Sequence, residues 1–227
     1  MPRPRFDAVV FDLDGTLVDS RIAVIDAVSA GIREAIASAG LAVPPIDEQL
    51  LRDALGKPAA EYFRAVLPET LGHLADRVKE TATRHEVAAF EAGHGRLFDG
   101  VLEALDRLRS AGVRIAVVSN AQAPYFRAAI AHTGLDARLD HAECHEELPD
   151  DAARPFKLTL LHRALTALDI PAQRALMTGD RAEDIEAGKI MGCTSLAVPF
   201  GFGTDEELAI ADLRLNSFAD LPGIVGI

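Results

Sequence analysis

Four short apolar runs, each closing on a polar cluster, constrain this chain more than anything else in it. Ala8-Val9-Val10-Phe11 continues to Leu13 and stops at Asp14-Gly15. Val113-Arg114-Ile115-Ala116-Val117-Val118 stops at Ser119-Asn120, Ala175-Leu176-Met177-Thr178 stops at Gly179-Asp180, and Thr194 to Val198 stops at Pro199. Runs of this length, partly β-branched and bounded by Gly, Pro or Asp, read as buried strands. Helical stripes lie between the later ones. Val101, Leu105 and Leu108 recur at helical spacing before Gly112, and Leu161, Leu165 and Leu168 do so before Pro171. Alternation of strand and helix predicts an α/β fold with a Rossmann-like parallel sheet covered by helices on both faces.

Residues 18–96 do not follow that alternation. Ile22, Ile25, Val28, Ile32 and Ile36 recur at spacings of three and four, and Gly40 follows as a terminator. Pro44-Pro45, Gly56-Lys57-Pro58 and Pro68 break the remainder into helical pieces, with no convincing strand. The expected organisation is therefore an α/β core of residues 1–17 and 97–227, with an all-helical cap inserted as residues 18–96.

Composition removes several function classes. The net charge of -12 is the wrong sign for a nucleic-acid binder, because phosphate backbones are captured by an excess of Lys and Arg. Two cysteines, Cys144 and Cys193, are too few for a disulfide framework and fit a reducing compartment. Asp7, Asp12 and Asp14 interrupt the apolar stretch that follows Arg3 and Arg5, so no secretory signal is readable. No apolar run approaches the ~20 residues of a membrane span. A cytoplasmic protein acting on a small molecule is expected, with no nucleic-acid or membrane partner. Its oligomeric state is not encoded in any readable pattern.

Open parallel sheets bind ligands at the C-terminal ends of their strands. Here those ends carry Asp12 and Asp14, then Ser119 and Asn120, then Gly179, Asp180 and Asp184, with Arg154-Pro155-Phe156-Lys157 as a source of positive charge. Asp12-Leu13-Asp14-Gly15-Thr16-Leu17-Val18-Asp19-Ser20 resembles the first motif of the haloacid dehalogenase-like superfamily. Ser119 resembles its second motif, and Gly179-Asp180-Arg181-Ala182-Glu183-Asp184 its fourth. The resemblance covers the whole chain, helical insert included, and is nearest to phosphoglycolate phosphatase-like members. It implies a phosphatase that acts on a small phosphorylated metabolite through an aspartyl-phosphate, with Mg²⁺ as cofactor.

The chemistry agrees with those residue types. A carboxylate attacking a phosphate is an anion approaching an anion, so a divalent cation must bridge them. Asp12 and Asp180 offer the oxygen ligands that Mg²⁺ prefers, the family pattern adds the backbone carbonyl of Asp14, and Asp184 would orient the metal's surroundings. Asp12 would be the nucleophile. Asp14 would protonate the leaving oxygen and later deprotonate water, a general acid-base role commonly worth about 10²- to 10⁴-fold. Ser119 would hydrogen-bond a phosphoryl oxygen, with Asn120, Thr16 and Lys57 as further substrate-binding candidates.

The third motif departs from the family pattern. Most members with such a cap have Lys-Pro where this chain has Arg154-Pro155. Alignment puts Arg154 at the usual lysine position, where it would offer a planar fork to phosphate. Lys157, about one helical turn later, is the second candidate for the cation. Phosphonoacetaldehyde hydrolases share the Arg-Pro and use a cap lysine, for which Lys57 is conceivable, but their first motif lacks the second aspartate. A phosphomutase is the other alternative. Halide hydrolysis has no need of an acid at Asp14. His141, Glu143, Cys144, His145, Glu146 and Glu147 fit no tetrahedral zinc spacing and read as a solvated acidic loop.

Overall fold

A computed structural model describes residues 3–21, 23–57, 59–145, 148 and 155–227. Six strands, β1 (Ala8–Phe11), β2 (Arg114–Ser119), β3 (His141–Cys144), β4 (Ala175–Gly179), β5 (Thr194–Ala197) and β6 (Leu213–Arg214), form one parallel sheet in the order β3-β2-β1-β4-β5-β6. β1 is central. Phe11 lies level with Val117 of β2 on one side and Thr178 of β4 on the other, so three strand ends finish side by side.

Every residue of β1 and β4 is buried, as in a sheet covered on both faces. The pleat sorts them. Val9, Phe11, Ile115, Val117 and Leu176 join the core on one face, shared with Val101, Leu105 and Leu108 of α5 (Val101–Ser110). Ala8, Val10, Ala116, Val118 and Met177 face the other way, onto Leu160, Leu161, Ala164, Leu165 and Leu168 of α7 (Phe156–Leu168). Each such side chain taken out of water contributes about 1.5–3 kcal/mol when it is as large as Val, Leu or Phe. The remaining helices of this layer are α6 (Ala123–Thr133), α8 (Ala182–Met191), α9 (Asp205–Leu208) and α10 (Leu221–Val225).

Between β1 and α5 the described elements are all helical: α1 (Ala23–Ser38), α2 (Glu48–Asp53), α3 (Ala59–Ala65), a 3₁₀ turn at Glu69–Leu74, and α4 (Ala75–Glu91). α1 and α4 are packed tightly. A Cβ at Gly31 would fall 2.4 Å from Ala82 Cα, and the Thr81 hydroxyl donates to Gly31 O at 2.9 Å. Ile25, Val28, Ile32 and Ile36 are buried as their spacing predicts, and Ile22 lies outside the described residues. The chain leaves and re-enters the sheet layer through adjacent crossings. Asp19 N donates to Arg96 O at 2.8 Å, and Phe98 N donates to Leu17 O at 3.0 Å.

One expectation fails. His141–Cys144 is not a solvated loop but the edge strand β3. Cys144 is fully buried, and Glu143 is buried with its carboxylate 2.5 Å from the Arg163 guanidinium. Four residues with a His and a Glu among them carry no strand pattern, and the fold hides the Glu by pairing it. Glu146 and Glu147 lie outside the described residues. No helix among the described residues is long and apolar enough to cross a membrane.

Candidate active site

Asp12 extends β1 by one more rung, its N–H donating to Thr178 O at 2.9 Å. The chain then turns through Gly15, whose φ of +81° suits glycine. A Cβ there would sit 2.3 Å from Asp180 Oδ2, so only glycine lets the β1 turn pass so close to the carboxylate beyond β4. Asp180 is fully buried. It accepts from the Thr16 hydroxyl at 3.2 Å and from Phe202 N–H at 2.6 Å. Thr16, a candidate substrate contact in the sequence, is thus turned to Asp180 and does not line the pocket. Asp184, in the first turn of α8, accepts from Arg181 N–H at 3.1 Å, which caps that helix.

Lys157 lies in the first turn of α7 and is buried. Its ammonium is 2.5 Å from Asp12 Oδ1 and 3.0 Å from Asp184 Oδ1, and it donates to Val118 O at 3.3 Å. Of the two candidate third-motif cations, Lys157 therefore stands on the nucleophile candidate, whereas Arg154 lies outside the described residues. Ser119 closes β2, and its hydroxyl accepts from Ala121 N–H at 3.1 Å. Asn120 next to it donates to Glu183 Oε2 at 3.0 Å and to Gly56 O at 3.2 Å, while its own Oδ1 is buried without a partner. Lys57 is exposed at the pocket's edge.

Three like charges converge here. Oxygens of Asp12, Asp180 and Asp184 lie within 4.8 Å of one another. Burial, and then the neighbouring Asp184, push Asp180 up to about 7. Burial also drives Asp12 well above the ordinary carboxylate range, with Asp184 and Asp180 adding to it and Lys157 opposing it. Burial alone would lower the Lys157 ammonium's pKa, but Asp12 and Asp184 outweigh it and hold the lysine charged. With all three ionised, one ammonium against three carboxylates would leave a surplus of two negative charges, which adds to burial in raising Asp12 and Asp180 and which a bound cation would neutralise. Asp184 Oδ1, close to Nζ but outside hydrogen-bonding alignment, has lone pairs to spare. An all-oxygen set with that surplus fits a hard divalent cation such as Mg²⁺.

Asp14 is half-buried; desolvation raises its pKa, while a hydrogen bond donated by Tyr125 of α6 works in the opposite direction. From Asp12 and Asp14 the pocket extends to α3, α4 and α6, with Tyr62, Glu86 and Tyr125 on its wall and about 80 Å³ of free space in the whole of it. Glu86 is buried in α4 and held well above the usual carboxylate range, by burial first and by the nearby Asp14 second. Arg181 leans over the entrance, donating to Leu55 O at 2.7 Å and pairing with Glu207 at 3.0 Å.

The sequence reading missed Tyr62, Glu86, Tyr125, Arg181 and Glu183 as site residues. Arg181 and Glu183 lie inside a motif already quoted, which was a usable signal. Tyr62, Glu86 and Tyr125 sit on helices far apart in sequence, and nothing local marks them.

A model of haloacid dehalogenase-like hydrolases matches residues 6–192. The phosphoglycolate phosphatase of Chromobacterium violaceum is 31% identical over 218 residues, covering 94% of each chain. The tyrosine-protein kinase PtkA of Mycobacterium tuberculosis is 33% identical over 195 residues, which are 86% of this chain but 62% of that protein. The chain thus spans less than two thirds of that relative's length. The crystal structure of CbbY from Rhodobacter sphaeroides in complex with phosphate superposes with a TM-score of 0.78 at 26% identity, covering 95% of this chain and 96% of CbbY. The matched span holds all three of the strand ends that bring Asp12, Ser119 and Asp180 together, and the chain belongs to the haloacid dehalogenase-like hydrolase family.

Proposed function

We propose that this protein hydrolyses a small phosphate monoester through an aspartyl-phosphate, with Mg²⁺ bound by Asp12, Asp180 and the backbone carbonyl of Asp14. The observation that carries this reading is the placement of one buried ammonium, Lys157, on Asp12 inside a cluster of buried carboxylates. A nucleophile among like charges is ionised only if cations offset them. Lys157 supplies one, and the divalent ion, when bound, supplies the rest and neutralises charge on the phosphoryl oxygens.

Asp12 Oδ attacks phosphorus while Asp14 gives its proton to the departing alcohol oxygen. The P–O bond to the alcohol breaks and an acyl phosphate forms on Asp12. Asp14, now ionised, takes a proton from water as that water attacks phosphorus, which returns Asp12 and releases inorganic phosphate. The raised pKa of Asp14 suits its first role, and the Tyr125 hydrogen bond stabilises the carboxylate needed for the second. The Ser119 hydroxyl donates to a phosphoryl oxygen, while the Asn120 amide, which donates to Glu183 and Gly56, ties the strand end to α8 and the helical segment. Asp184 orients Lys157 and the metal's surroundings.

Residues 18–96 act as the cap, meeting the core where Asn120 and Arg181 donate to the Gly56 and Leu55 carbonyls. A closed cap excludes bulk water and macromolecules. The relatives named phosphoglycolate phosphatase, and the phosphate complex of CbbY, support a phosphoryl centre here. The test is hydrolysis of an aryl phosphate with and without Mg²⁺, in the wild type and in Asp12→Asn. Turnover that survives chelation, or that is unchanged in the variant, rules the reading out.

A further inference from the structure

The chemistry at Asp12 leaves one part of the pocket unused. Above Asp14, on the helical side, Tyr62 of α3 and Glu86 of α4 line the wall, with 6% and 8% of their surface exposed. The Tyr62 hydroxyl is buried with no hydrogen-bond partner. An orphaned buried hydroxyl carries a desolvation penalty that a hydrogen-bonding ligand would relieve. Glu86 is close enough to Tyr62, Tyr125 and Asp14 to perturb the ionisation of each or be perturbed by it. These groups surround the position where the alcohol portion of a bound ester must lie, because Asp14 protonates the oxygen that leaves.

We infer that Tyr62 and Glu86 form the leaving-group subsite, and that it selects a small phosphate ester whose alcohol carries further hydroxyl groups, a short polyol or sugar phosphate. The inference rests on the phosphatase reading above. A hydroxyl both donates and accepts, so it can donate to the Glu86 carboxyl and accept from Tyr62 O–H. A carboxylate on the alcohol would be taken out of water beside Glu86 and Asp14 with no uncommitted cation on that wall among the described residues. Lys157 is committed to Asp12 and Asp184, Arg181 is paired with Glu207, and Lys57 stands at the exposed edge. An ammonium would be desolvated against Val24, Leu55 and Phe63, while Glu86 and Asp14, which burial holds toward their protonated forms, give it no full counter-charge. The whole pocket, phosphoryl site included, has about 80 Å³ of free volume, far below the roughly 300–1,000 Å³ of sites that enclose drug-sized ligands, which limits the alcohol to a few carbons.

The experiment compares kcat/KM of the Mg²⁺-loaded enzyme for glycerol 3-phosphate, erythrose 4-phosphate, phosphoglycolate, phosphoethanolamine and an aryl phosphate. The wild type is expected to prefer a hydroxylated ester over phosphoglycolate and phosphoethanolamine by at least about tenfold, the equivalent of one good hydrogen bond. In Tyr62→Phe and Glu86→Gln, both near-isosteric, the ratio of kcat/KM for the hydroxylated ester to that for the aryl phosphate should fall about tenfold, mostly through KM. Preference for phosphoglycolate or phosphoethanolamine overturns the inference, and so does an unchanged ratio in both variants. In those cases the aryl phosphate is still hydrolysed and the phosphatase reading stands. Loss of turnover of every ester in the wild type, aryl phosphate included, removes that reading and the subsite with it.

Discussion

Replacing Lys157 by Met tests whether the site is an electrostatically balanced cluster. The ammonium lies 2.5 Å from one carboxylate and 3.0 Å from another, with 2% of its surface exposed. At an effective dielectric of ~20 each contact is a Coulomb attraction of about 5–7 kcal/mol, offset by a desolvation penalty of several kcal/mol per buried ion. Methionine fills the volume but leaves Asp12, Asp180 and Asp184 uncompensated, and breaking such a buried pair costs about 3–5 kcal/mol. In a chain of 227 residues that is a fall in Tm of roughly 6–20 °C, at about 2–4 °C per kcal/mol. The measurement is thermal and urea unfolding at pH 7 in the presence of a chelator, which keeps a divalent cation from restoring the balance. Because the Lys157 pKa is raised by folding, its contribution is complete below the ordinary value of 10.5 and is lost only as pH climbs through the folded value. At pH 7 the whole effect is therefore visible. The deficit should narrow on acidification, as the crowded carboxylates take up protons. Adding Asp12→Asn to Lys157→Met removes one orphaned charge, so the double variant should be about 1–3 kcal/mol more stable than additivity requires. A Lys157→Met protein within about 1 kcal/mol of wild type, or strictly additive effects, would refute the charge-balance argument.

Three further outcomes follow from the same geometry. Asp14→Asn should lower turnover of an alkyl phosphate by about 10²- to 10⁴-fold, hurt an aryl phosphate less, and leave a phosphorylated enzyme trappable by acid quench; equal loss on both esters with nothing trapped contradicts the acid-base role. Tyr125→Phe removes the hydrogen bond that opposes the raised pKa of Asp14, so that pKa rises further and the acidic limb of the kcat profile moves to higher pH; an unmoved limb excludes the coupling. Mg²⁺ at 100 times its Kd should stabilise the protein by about 2.7 kcal/mol, read as a Tm rise of roughly 5–11 °C. Asp180→Asn should abolish most of that rise, and a rise that persists in the variant places the ion elsewhere.

The strands that carry the chemistry were legible because a parallel strand buried on both faces is a near-continuous apolar run, as in Ala8–Phe11 and Ala175–Gly179. β3 and β6 were not. His141–Cys144 hides a glutamate through an ion pair, and Leu213–Arg214 is two residues long, so neither has a hydrophobic period to read. Asp12, Asp14, Ser119 and Asp180 were legible because each lies at or just past a strand end, and Asp184 because it completes the motif that opens at Gly179-Asp180. The meeting of Lys157 with Asp12 depends on how α7 presents its first turn, which spacing alone does not fix. Tyr62, Glu86 and Tyr125 reach the pocket only through the packing of α4 on α6 and α3, a long-range arrangement with no local mark. The role proposed for Tyr62 starts from the missing partner of its hydroxyl, and no sequence pattern records an absence.

The paired crossings at Asp19–Arg96 and Leu17–Phe98 have an evolutionary consequence. They make the helical segment begin and end at one point, so the sheet experiences it as a closed loop whose length hardly matters. Doubling such a loop adds only about 0.6 kcal/mol of closure entropy. Tyr62 and Glu86 lie inside that loop, whereas Asp12, Asp14, Lys157 and Asp180 lie outside it. Selection for a new leaving group can therefore lengthen, shorten or rewrite the loop while the phosphoryl machinery stays fixed. In a family built this way, kinship in the reaction is expected to outlast kinship in the substrate.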